Sequence, residues 1–111
     1  MSTRIRPNCN INIDSESNTY EFYVKIYTPV DAPNLTQDGW DIEVELAVQI
    51  FTDKLKKRYK WVSDVYLTGR SGGWLAIEAT RPIRESVLWT VMELVDKEKK
   101  KFIKYLEKEF K

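Results

Sequence analysis

Apolar and polar residues alternate at 10–14, where Ile11 and Ile13 sit between Asn10, Asn12 and Asp14. This period of two predicts a short strand. The turn formers Asp14-Ser15-Glu16-Ser17-Asn18 follow, and alternation resumes over 20–27 with Phe22, Val24 and Ile26 on one face. The two runs read as a hairpin whose first strand lies at a sheet edge. Segment 28–39 contains Pro29, Pro33, Asn34, Asp38 and Gly39 and reads as a loop crossing from sheet to helix. Over 40–59 two periods compete. Trp40, Ile42, Val44, Leu46, Val48 and Ile50 alternate like a strand, while Val44, Ala47, Val48, Phe51 and Leu55 keep helical spacing. Length favours the helix, because about twenty residues without a breaker far exceed a mean strand, and acids precede bases as the helix dipole prefers.

Residues 65–68 and 74–79 read as strands of a second hairpin around the glycine-rich run at 69–73. Thr80 is expected to cap a helix that has Pro82 in its first turn, where a missing backbone donor costs nothing. Ile83, Val87, Val91, Leu94, Val95, Phe102, Leu106 and Phe110 then form an apolar stripe along that helix. The order ββαββα predicts one α+β domain over 1–111, with residues 1–8 a polar tail, an antiparallel sheet and both helices on one face. Phe22, Val24, Ile26, Val65, Leu67, Leu75 and Ile77 would point at the helices. Tyr23, Tyr27, Tyr66 and Trp74 would point the other way.

Composition narrows the function classes. The chain has 111 residues, 42% hydrophobic and 32% charged, enough for one ordinary core. Histidine is absent and Cys9 is the single cysteine. The commonest general base, the commonest metal ligand and a cysteine-rich zinc site are therefore all missing. We expect no enzyme, no cofactor and no metal. The lone cysteine, the lack of a long apolar run and the polar start point to a cytoplasmic protein with no membrane partner. The formal charge of +1 conceals an asymmetry: residues 7–53 hold one base and nine acids, and residues 54–111 hold fifteen bases and eight acids. Two halves of opposite sign can dock on each other or present two surfaces to partners.

Among possible sites, the aromatic sheet face of Tyr23, Tyr27, Tyr66 and Trp74 has the mixed character of an interface centre, with Arg70 at its rim. Such a face is also used to stack unpaired bases; Lys25, Glu21 and Glu78 share it, and the two acids would repel a phosphate backbone. The clusters Lys54, Lys56, Lys57, Arg58, Lys60 and Lys97, Lys99, Lys100, Lys101, Lys104 lie late in their helices, where positive charge complements the dipole. They are also the footprint a nucleic-acid binder would use. Asp64 and Glu78 are spaced like the acids of a metal-dependent nuclease, yet Thr80 stands where that pattern needs a lysine.

The stretch Gly69-Arg70-Ser71-Gly72-Gly73-Trp74-Leu75, between two helices, resembles small uncharacterised proteins carried by bacteriophages and related viruses. The resemblance implies a virus-encoded accessory protein, a class rich in small inhibitors of host defence or host enzymes, and it carries over no site residue. The expected activity is stoichiometric binding of a host protein, with nucleic-acid binding as the alternative. The last helix, read over 81–110, would extend about 45 Å against strands of about 20–27 Å. Its overhanging residues Phe102, Ile103, Leu106 and Phe110 need a surface, which the first helix or a second copy could provide. The expectation is a homodimer through these four residues.

Overall fold

A computed structural model describes residues 11–25, 30–68 and 73–111. It contains strands β1 (Ile11–Asp14) and β2 (Thr19–Tyr23), helix α1 (Gln37–Arg58), strands β3 (Val62–Leu67) and β4 (Trp74–Ala79), and helix α2 (Glu85–Glu109). The four strands form one antiparallel sheet in the order β1-β2-β4-β3. The fold is therefore α+β with the ββαββα order expected. The first turn is held by Asp14, whose carboxylate accepts from the Ser17 hydroxyl at 2.8 Å and the Glu16 amide at 3.1 Å. Asn18 completes it at φ 51°, a left-handed conformation that asparagine tolerates.

Strand limits differ from the periodicity for identifiable reasons. β2 ends at Tyr23 instead of continuing to residue 27, because Lys25 turns the chain at φ 46°. β3 begins at Val62, earlier than expected, since a bulge between Val62 and Asp64 breaks the alternation and turns both Val62 and Val65 inward. Gly73 precedes β4 at φ 83°, a value suited to glycine, and its carbonyl accepts the Val24 amide at 3.0 Å. Ile26, Tyr27, Cys9 and residues 69–72, including Arg70, lie outside the described residues, as does the tail expected at 1–8.

Both helices start where side-chain and loop chemistry allow. α1 begins at Gln37, inside the segment expected to be loop: the Thr36 hydroxyl accepts the Gly39 amide at 3.0 Å, so the glycine occupies the first turn instead of ending the loop. α2 begins at Glu85, and Thr80 is not its cap. The Thr80 amide bonds to the Trp61 carbonyl at 2.8 Å and the Ile83 amide to the Tyr20 hydroxyl at 2.8 Å. These bonds hold 80–84 against the sheet, and Pro82 disfavours helical backbone at Arg81.

One apolar cluster joins the layers: Phe22, Leu75, Ile77 and Val65 from the sheet, Val44, Phe51 and Leu55 from α1, and Leu88, Val91 and Val95 from α2. No polar side chain among the described residues is buried in it. The overhang of α2 is covered within the chain. Leu106 is 0% exposed, and Phe102, Ile103 and Phe110 pack against the core. Trp40 of α1 meets Phe102 edge-on with centroids 6.3 Å apart. The segment before α1 closes over the helix end: the Asp31 amide bonds Glu107, and the Asn34 amide bonds the Phe110 carbonyl at 3.0 Å. Of the four residues expected at a dimer contact, Leu106 is buried within the chain, and Phe102, Ile103 and Phe110 are half-buried against its core.

Candidate functional site

Strand alternation and register lay out the sheet face that no helix covers. Tyr23 stands opposite Trp74; Asn12, Glu21, Ala76 and Tyr66 form a second row; Asp14, Thr19, Glu78 and Asp64 form a third. The Tyr23 and Trp74 rings are tilted against each other at 5.2 Å between centroids. Tyr66 is 38% exposed, the most open ring of the three. Ala76 is 1% exposed although it faces outward. Its larger neighbours close over it, with the Tyr66 hydroxyl donating to Glu78 Oε2 at 2.9 Å. Asn12 Nδ2 donates to Glu21 Oε1 at 2.9 Å across the edge pair.

Among the described residues of these rows the charged side chains are all acidic. The Glu78 carboxylate, by accepting the Tyr66 hydroxyl proton, raises the Tyr66 pKa above its ordinary value, and burial and the charges of Glu78, Asp64 and Glu21 push the same way. Three carboxylates therefore act on a single phenol. Asp64 and Glu78, the spaced acids of the sequence, are cross-strand partners, yet among the described residues no group of three metal-ligating side chains is assembled. Of the expected contact residues, Tyr23, Tyr66 and Trp74 are brought onto this face; Tyr27 and Arg70 lie outside the described residues.

Positive charge collects elsewhere. Arg58, Lys60 and Arg81 line a cleft of about 430 Å³ with Tyr59 and Trp61, and no acid lines it among the described residues. Arg58 lies over the Tyr59 ring at 5.6 Å, and Tyr59 packs on Trp61 at 5.1 Å. Lysine clustering marked Arg58 and Lys60, but Arg81 joins them only because the Thr80 amide ties its segment to the Trp61 carbonyl. Lys54 and Lys101 share Glu98, at 3.1 and 3.7 Å, so these members of the clusters are paired between and along the helices.

No family model, curated protein or solved structure matches the chain. No described helix is long and apolar enough to cross a membrane.

Proposed function

We propose that the protein is a stoichiometric, non-enzymatic binding protein that covers a surface of another protein with its open sheet face. The observation that supports this is the grouping of Tyr23, Trp74 and Tyr66 on a helix-free face edged by Glu21, Asp64 and Glu78. Rings on a rigid sheet bury large area at little entropic cost, and they are the commonest interface anchors. The carboxylates select a basic patch on the partner, whose arginines can pair with the acids and stack on the rings. The viral resemblance directs the search to host proteins, an inhibitor of host defence being the role it implies. Affinity capture from host lysate tests the reading. A partner recovered at equimolar ratio should be lost on Tyr66→Ala with Asp64→Lys, and kept by Lys104→Glu on the opposite layer. A partner insensitive to the sheet-face changes, or turnover of a substrate in place of capture, defeats it.

The acid-free cleft at Arg58, Lys60 and Arg81 favours a second reading, binding of a nucleic-acid phosphate backbone. Gel shifts at low salt that are abolished by Arg58→Ala with Arg81→Ala would support it. Absence of any shift with single- or double-stranded DNA or RNA eliminates it.

A further inference from the structure

A groove of about 490 Å³ runs between α1 and α2 above the end of the sheet, where Val24, Leu67 and Leu75 form its floor. Its α1 wall is Ala47 and Phe51, with Leu46 and Ile50 at the rim; Phe102 stands on the α2 wall. Polar pairs bound it. Lys54 of α1 bridges to Glu98 of α2, and Glu43 of α1 faces Tyr105 of α2, whose pKa is raised by burial and then by that carboxylate. The eleven steps from Glu43 to Lys54 separate these pairs by about 16 Å along α1. A concave apolar site of this size with few polar groups is the usual form of a small-ligand site.

One residue in it breaks the pattern of its helix. Val91, Val95, Lys99, Phe102 and Leu106 follow the spacing of the inward stripe of α2, so a half-buried lysine stands at a position where an apolar residue would pack. Lys99 has no ion pair among the described residues. Burial lowers its pKa and Lys25 adds to this, while Asp96 only partly opposes it, so the desolvation of the charge is not fully offset. Lys54 and Lys101 are already joined to Glu98, which leaves Lys99 as the groove cation with no ion pair among the described residues.

We propose that this groove binds a single-chain anionic amphiphile of the fatty-acid class, its alkyl chain along Ala47, Phe51 and Phe102 and its carboxylate against the Lys99 ammonium. The carboxylate supplies the missing counter-charge, and the chain removes water from walls that include Leu46 and Ile50, 48% and 58% exposed. The site is separate from the open sheet face, and its test does not depend on a protein partner.

Calorimetric titration with dodecanoate below its aggregation concentration, alongside the neutral dodecanol, is the experiment. Saturable binding at one site per chain is expected, with dodecanoate favoured by about tenfold. Lys99→Met should abolish that preference while raising Tm, because it removes a desolvated charge from the apoprotein. Ala47→Phe, which fills the groove, should abolish both titrations; if that variant does not fold, Ile50→Gln on the exposed rim should weaken both. Absence of saturable binding overturns the proposal. So does equal binding of acid and alcohol by the wild type, or undiminished binding by folded Ala47→Phe. A dimer that Leu46→Glu splits, binding dodecanoate only once split, would make the groove an interface between copies and overturn it as well.

Discussion

Tyr66 holds its proton more tightly in the folded chain than in the unfolded one, chiefly because Glu78 accepts it. A raised folded pKa contributes stability that is complete below the ordinary tyrosine pKa and is lost as pH rises through the raised value. Phenolate absorbance, taken as the difference between wild type and Tyr66→Phe, should place Tyr66 above a free tyrosine, and Glu78→Gln should return it toward normal. An unchanged curve in Glu78→Gln would refute this assignment. Asp14 behaves oppositely. Its pKa is lowered first by the Ser17 hydroxyl, with the Glu16 and Ser17 amides adding, so its contribution is present above the ordinary carboxylate pKa and fades as pH falls through the lowered value. The Asp14 turn was readable from residue types alone, whereas Thr36 was not: its cap depends on Gly39, a residue that reads as a breaker. Thr36→Ala should cost about 1 kcal/mol in denaturant unfolding. A side chain at residue 39 would crowd that cap, since an added Cβ lies 3.1 Å from Thr36 Oγ1.

At the scale of elements, α1 explains why its sequence suggests both a strand and a helix. Trp40, Val44, Phe51 and Leu55 are buried, while Ile42, Leu46 and Ile50, four residues apart, are exposed on the outer side. A helix apolar on two sides interleaves its stripes into apparent alternation. Length therefore gave the right element where periodicity was ambiguous, and two residues of the outer stripe, Leu46 and Ile50, reach the groove rim. The same two classes of position predict different responses to mutation. Leu106→Ala should cost about 2–5 kcal/mol in urea unfolding, as expected for a buried leucine, and Ile42→Ala should change stability by less than about 0.5 kcal/mol. Leu106→Glu should lower the melting temperature; a variant that changes solution mass while melting normally would instead indicate a dimer at α2. The misplaced start of α2 has a tertiary origin. The ties from Trp61 and Tyr20 that hold 80–84 come from distant residues, so Thr80 followed by Pro82 could not disclose them.

Over the whole molecule, 45 × 30 × 22 Å in extent, element order and the inward and outward sets of the strands were readable because alternation fixes them. The groove was not, since it arises from the spacing of two helices that no local pattern records. Nor was the acid-free cleft, assembled from residues more than twenty positions apart in the chain. The sheet order has a further consequence. β4 pairs with β3 through a short hairpin but also with β2, across all of α1 and β3, so the central seam joins residues far apart in sequence. The hydrogen bonds of this seam cannot form until so long a loop is closed, which makes such seams slow steps in folding. Until β4 arrives, β2 offers a free edge beside β1, a template onto which another unfinished chain could add. Refolding after dilution from denaturant should therefore proceed more slowly than in a helical bundle of this length. Its yield should fall as protein concentration rises, and changes at Tyr23 or Trp74 that weaken the seam without unfolding the native state should lower that yield first.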